Sequence, residues 1–404
     1  MFPKLRFQEF DGAWSNSKID DIAVVTSGGT PSRSNLTFWD GNIPWVTTSL
    51  VDFNIIQSAE EFITQKGLDN SSAKLFPKNT ILMAMYGQGI TRGKVAILGI
   101  DATTNQACAA IKLQSNYDTQ FIFQNLMSRY EEIRDLSNDG GQKNLSAGII
   151  KEIEVYYPEK TEQIKIASFL SVVDEKISQF NQKHELLSQY KQGMMQKLFS
   201  QQIRFKADDG SEFREWEEKK LSEISQKAMY GMNAAATEYD GINKYLRITD
   251  ICEFSNKFKM SNLTSPNAEL EDKYKLQLGD LLFARTGASV GKSYLYNEDD
   301  GITYFAGFLI KFSLNINLVI PYFIFLQTLT KEFSQWVVTN SMRSGQPGIN
   351  AEEYSSYILK VPCLEEQTKI ANFLSAIDQK IEMVTQQIEQ AKQWKKGLLQ
   401  QMFI

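Results

Sequence analysis

The chain has 404 residues, 42% of them hydrophobic and 12% aromatic, which places it among ordinary globular proteins with room for two or three domains. Its net charge of −5 is spread with no segment more basic than the +1 of residues 159–203, so charge alone does not point to nucleic acid, and phosphate neutralisation would have to come from local patches or a basic partner. Cys108, Cys252 and Cys363 fall in no CxxC or Cys/His spacing, which argues against a disulfide framework or zinc site and fits a reducing cytoplasm. Met1 to Arg6 leads into no apolar signal region, and apolar runs such as Tyr322 to Leu326 are far too short to span a membrane, so a soluble protein is expected.

Residues 1–158 read as a globular unit opening on Leu5-Arg6-Phe7, Trp14 and Ile22. Short β-branched and aromatic runs follow, at Ile22 to Val25, Ile43 to Val46, Thr80 to Met85, Lys94 to Leu98 and Ala109 to Leu113, each bounded by turn residues. A mainly β domain is predicted, with a helical segment at Thr119 to Leu136 before the turn Gly140-Gly141-Gln142-Lys143-Asn144.

Residues 159–203 form the next segment, and from Glu162 to Phe199 apolar residues recur at alternating steps of four and three: Ile166, Leu170, Val173, Ile177, Phe180, Leu187, Met194 and Leu198. This predicts a long helix with a coiled-coil seam. At 1.5 Å per residue its length is about 57 Å for roughly 38 residues.

Residues 204–361 open again on Ile203-Arg204-Phe205, Trp216 and Ile224, carry a helical segment at Tyr322 to Val338, and reach a second turn, Ser344-Gly345-Gln346-Pro347-Gly348. Residues 362–404 then repeat the helix, since a shift of 204 residues superposes Glu162 to Phe199 on Glu366 to Phe403 without a gap. Identities fall at Phe169/Phe373, Leu170/Leu374, Asp174/Asp378, Lys176/Lys380, Ile177/Ile381, Lys191/Lys395, Gly193/Gly397 and Gln196/Gln400. The second seam runs through Ile370, Leu374, Ile377, Ile381, Val384, Ile388, Ala391, Leu398 and Met402. Neither helix buries its narrow stripe alone, so the two are expected to pair with each other. The chain is a tandem duplication whose helices agree far better than its globular units. That pattern fits one framework presenting two different readers.

Thr286-Gly287-Ala288-Ser289-Val290-Gly291-Lys292-Ser293 looks like a phosphate-binding loop, but only three residues separate the glycines, and it leads into the strand-like Tyr294-Leu295-Tyr296. It reads instead as a cationic β-turn, with Arg285 and Lys292 facing either a polyanion or solvent. Tyr86-Gly87-Gln88-Gly89-Ile90-Thr91-Arg92-Gly93-Lys94 is its counterpart in the first unit. Candidate DNA contacts are therefore Tyr86, Arg92, Lys94, Arg285, Thr286 and Lys292 on these loops. Thr47, Thr48 and Ser49 are added after the strand Ile43 to Val46, with Arg247 and Thr249 in Leu246 to Asp250, and with Gln142, Lys143, Asn144, Arg343 and Gln346 at the glycine-rich turns. His184, the sole histidine, stands where the second helix has Ile388 and reads as a polar seam residue. Lys191 and Lys395 share one seam position, which suggests that the pairing loosens there and that another chain takes over, with Tyr190 and Trp394 beside them as candidate partner contacts. Adjacent prolines, a GxGxxG after a strand and any nuclease motif are missing, so no catalytic site is expected.

The doubled block Glu-Gln-x-Lys-Ile-Ala-x-Phe-Leu-Ser-x-x-Asp-x-Lys-Ile, at Glu162 to Ile177 and Glu366 to Ile381, closely resembles that of the specificity subunits of type I restriction–modification enzymes. The resemblance extends to Pro158 and Pro362 before each block, to Leu281 to Lys292, and to the alternation of globular unit and helix along the whole chain. It implies an α+β protein with two target-recognition domains, each reading half of a split site in double-stranded DNA, held apart by an antiparallel helix pair. It implies as partners two methyltransferase subunits carrying S-adenosylmethionine and two restriction subunits using ATP and Mg. No cofactor is expected on this chain, and no membrane. A P-loop enzyme and a coiled-coil scaffold without a DNA role are the alternatives.

Overall fold

The computed structural model describes residues 2–86, 90–136, 144–253 and 255–403. It divides into two compact units, Met1–Gln182 with Thr385–Ile404, and Lys183–Val384. Each unit thus holds one globular body, the first half of one long helix and the second half of the other.

In the first unit a five-stranded sheet runs in the order Ala23–Ser27, Cys108–Leu113, Ile81–Ala84, Val95–Leu98 and Ile55–Ile56, antiparallel except for the last pair. Successive side chains of a strand point to opposite faces. Ile81, Met83, Val95, Ile97, Ala109 and Ile111 accordingly enter one core. Leu82, Ala84, Ala96, Leu98, Cys108 and Ala110 enter a second. Burial on both faces is why these strands read as unbroken apolar runs. A smaller sheet joins Glu61–Ile63, Trp39–Val46 and Thr103–Thr104.

The second unit repeats the plan with four strands, Met229–Tyr230, Leu309–Ser313, Asp280–Ala284 and Ser293–Leu295. Leu281, Phe283, Ile310 and Phe312 face one core, and Leu282, Ala284, Tyr294 and Leu309 face another. Trp45 pairs in parallel with Thr103 in the first unit, and Tyr245 with Tyr304 in the second. The helical segments expected at Thr119 to Leu136 and Tyr322 to Val338 are each broken in two, into Thr119–Ser128 and Tyr130–Asp135, and Pro321–Gln327 and Lys331–Ser341. In the second unit the break falls at Thr330, whose hydroxyl accepts from Phe333 N at 3.3 Å and caps a new helix.

The long helices are Lys160–Phe199 and Leu364–Met402. In the first unit Ile166, Leu170 and Val173 share a core with Leu398, Met402 and Phe403. In the second Met195, Leu198 and Phe199 do so with Ile370, Leu374 and Ile377. The start of one helix therefore packs with the end of the other, so the pair is antiparallel. Ile388 is buried on the seam, while His184, its counterpart, is half-buried.

The repeated Glu-Gln docks each helix on its own globular body. Glu162 is fully buried and accepts from Arg6 Nε and Nη2 at 2.8 and 2.7 Å. Glu366 accepts from Arg204 at 3.1 and 2.9 Å in the same way, and also from Trp216 Nε1 at 3.1 Å. Gln163 Oε1 accepts from Asp118 N and Gln367 Oε1 from Ile320 N, at 2.9 and 2.8 Å, tying each helix to the start of the helix Thr119–Ser128 or Pro321–Gln327. The two segments opening Leu-Arg-Phe and Ile-Arg-Phe thus supply an arginine to a carboxylate far along the chain.

The loosening expected at Lys191 and Lys395 does not occur. Lys191 Nζ lies 2.6 Å from Asp378 and Lys395 Nζ 2.5 Å from Asp174, each reaching across the helix pair. A lysine on a seam is accommodated because its long stem carries the charge to an acid on the other helix.

Candidate nucleic-acid interface

In each unit an inner strand, Ile81–Ala84 or Asp280–Ala284, runs into a loop that returns through a left-handed glycine, Gly93 at φ 84° or Gly291 at φ 85°. Backbone bonds close both turns alike: Gly93 N to Ala84 O at 2.9 Å, and Gly291 N to Ala284 O at 3.0 Å. A Cβ on Gly291 would lie 2.5 Å from Val337 Cγ1, so close approach to the helix Lys331–Ser341 and the positive φ both require glycine.

The lysines after these glycines point inward. Lys94 Nζ is 2.6 Å from Asp52 and Lys292 Nζ 2.8 Å from Glu253, and the two side chains are only 14% and 11% exposed. Asp52 and Glu253 lie just beyond the short 3-10 turns Thr48–Leu50 and Ile248–Asp250. Each lysine therefore ties the glycine turn to the turn that carries Thr47, Thr48 and Ser49, or Arg247 and Thr249. The Thr47 and Ser49 hydroxyls are 2.5 Å apart. Arg247 forks onto Asp250 at 2.8 and 2.9 Å, and Thr249 Oγ1 donates to the same carboxylate at 3.2 Å.

Asn144, at the end of the first glycine-rich turn, and the second turn, 344–348, approach the same loops. Leu145 N donates to Met85 O and Ile349 N to Arg285 O, both at 2.9 Å, which brings Asn144 beside Tyr86, and 344–348 beside Thr286. Thr286 pairs with Gly348, and Gln346 Nε2 lies against Gly287. Arg92 Nε donates to Arg134 O at 3.1 Å. Arg343 pairs with Glu353 at 2.5 Å. Gln142 and Lys143 lie outside the described residues. Gly287–Ser289 is a 3-10 turn feeding the strand Ser293–Leu295, so no helix N-terminus follows the phosphate-loop look-alike.

Arg285 differs from its neighbours. Among the described residues no carboxylate pairs with it, and its guanidinium lies over the rings of Tyr230 and Phe308, 5.0 and 5.8 Å from their centroids. Sequence reasoning missed both aromatics, Tyr230 on the strand Met229–Tyr230 and Phe308 in the turn before the strand Leu309–Ser313, with no local pattern around them. It also missed Arg33, stacked 3.7 Å from Trp39 and 4.8 Å from Trp45 while both of its terminal nitrogens bond Glu61. That bonding holds the Glu61 carboxyl below its usual range. The available signal was an arginine following Gly28-Gly29-Thr30-Pro31 and closely preceding a tryptophan. Tyr190 and Trp394 are both more than half exposed on the long helices, and Trp394 stands edge-on to Phe169 at 6.2 Å.

The model of the type I restriction modification DNA specificity domain matches residues 12–188 and again 214–393, and the chain belongs to that family. It is 30% identical over 243 residues to the type I restriction enzyme MjaIX specificity subunit of Methanocaldococcus jannaschii, a match covering 56% of this chain and 54% of that one. With the MjaVIII specificity subunit of the same organism it shares 24% identity over 96% of this chain and 91% of the relative. The chain spans less than half of the EcoR124I/EcoR124II specificity subunit of Escherichia coli, at 43%. The fold is similar to that of a type I restriction–modification S subunit from M. genitalium, with a TM-score of 0.60 at 19% identity over 100% of this chain and 99% of the other. Among the described residues no helix is long and apolar enough to cross a membrane.

Proposed function

We propose that this chain is the non-catalytic specificity subunit of a cytoplasmic type I restriction–modification complex, in which each globular body reads one half of a two-part site in double-stranded DNA. The observation that carries this reading is the rim built twice from one plan, a left-handed glycine turn tied by a lysine to a polar turn, and furnished with different side chains each time. Two equal frames with unlike surfaces suit two unlike half-sites. Base contacts specify sequence while phosphate contacts position the protein, and with most rim cations already paired to acids much of the phosphate grip falls to partners. Those partners are two methyltransferase subunits, which bring S-adenosylmethionine and dock on the long helices near Tyr190 and Trp394, and two restriction subunits, which bring ATP and Mg. The helices set the unread gap between the half-sites.

The test is to replace residues 204–361 with the corresponding segment of another specificity subunit and map methylated sites across a genome. One half of the site changes and the other persists. A change in both halves refutes independent reading.

A further inference from the structure

Four segments of the second unit meet around Arg285. Its own N donates to Phe308 O at 3.1 Å, and its carbonyl accepts from Ile349 N at 2.9 Å, so the backbone is fixed on both sides. Tyr230 is fixed as well, its hydroxyl accepting from Ala351 N at 3.2 Å. The strand carrying Tyr230 lies this close because the next residue is glycine: a Cβ on Gly231 would fall 2.3 Å from Ala306 O. The guanidinium over the two rings has a buried Nε with no hydrogen-bond partner among the described residues. An unsatisfied buried donor calls for an explanation. Here the rings hold a planar fork in one orientation, leaving little rotamer freedom to lose when its outer nitrogens meet a ligand.

The surroundings identify the ligand's chemistry. Phosphate sites gather several cations, yet Arg247, Lys292 and Arg343 are each paired with an acid. Around Arg285 itself the neighbours are the aromatic Tyr230 and Phe308, the latter 56% exposed, and the uncharged Thr286 and Gln346. A lone fork among apolar, hydroxyl and amide groups suits base edges, and the base that takes an arginine fork through two acceptors is guanine. We infer that Arg285 reads a guanine through O6 and N7 in the major groove, so the half-site of the second unit contains a G·C pair. This rests on the proposed function above. In the first unit the corresponding position is Met85, which is buried, so that unit has no such fork there.

The test uses this chain in complex with its methyltransferase partner. Methylated sites are mapped first, and the half read by the second unit is assigned by the segment exchange above. Binding of wild type, Arg285→Ala and Arg285→Met is then measured on duplexes carrying 7-deazaguanine at each guanine of that half in turn. At one position, loss of N7 weakens wild type by at least about fivefold, at the low end for a bidentate base contact, and leaves both variants unchanged. Arg285→Met retains an apolar stem over the rings but carries no donor, so it reports the loss of the fork even where the alanine variant folds poorly. A second half-site without guanine, or no position at which the two losses cancel, overturns the inference. So does an equal loss on all duplexes with the salt slope reduced by about one, the mark of a phosphate contact. A wild-type complex with no two-part methylated site overturns the proposed function instead.

Discussion

Glu366 is fully buried and accepts three hydrogen bonds, from Arg204 Nε, Arg204 Nη2 and Trp216 Nε1. Truncating it to alanine leaves Arg204, only 17% exposed, with the solvated Glu215 at 3.9 Å in place of a close carboxylate, and breaking a buried ion pair from one side costs about 3–5 kcal/mol. The carbonyls of Phe213 and Arg214 still accept from Arg204 Nη2, at 3.3 and 2.7 Å, which places the loss near the lower end. For a unit of this size a loss of about 3 kcal/mol lowers the melting temperature by roughly 6–12 °C. Urea denaturation followed by the fluorescence of Trp216, which loses a hydrogen-bond acceptor in the variant, measures the change directly. The double variant Arg204→Met with Glu366→Leu regains most of the stability, because exchanging both partners for apolar groups removes the uncompensated charge. A loss under about 1 kcal/mol in Glu366→Ala, or a double variant no better than the single, refutes the assignment of this pair as the anchor between helix and globular body.

Gly291→Ala combines a left-handed φ with a contact on Val337 and is expected to destabilise the second unit by about 2–4 kcal/mol in chemical denaturation, whereas Gly291→Ala paired with Val337→Ala recovers the contact part and keeps the φ part. Lys395→Asp lowers stability by placing like charges together, and Asp174→Lys added to it restores the pair; a double variant as unstable as the single contradicts the cross-helix tie. Seven residues inserted between Ser178 and Ser188 keep the seam in phase and lengthen that helix by about 10 Å, or roughly three base pairs. If the helices set the gap, methylation mapping finds the same half-sites with a changed gap between them, by less than the full three pairs where the longer helix bows. A folded, partner-binding insertion variant that methylates the old spacing rules out that role.

The sequence by itself determined the duplication, the two long helices and their seam, because periodicity is local and survives in one dimension. It also determined the strand within Thr80 to Met85 and the two glycine turns that end at Lys94 and Lys292, since apolar runs and glycine turns are short-range signals. Only the tertiary structure decided what the charged residues do. Lys94 and Lys292 look alike on cationic loops, yet their acids lie 42 and 39 residues away, and strand order rather than spacing brings them together. Lys191 and Lys395 read as interruptions of a seam until Asp378 and Asp174 on the facing helix satisfied them. Arg285 is set apart from its neighbours by two aromatic rings from distant segments and by pairing with no acid among the described residues, and both depend on how those segments pack around it.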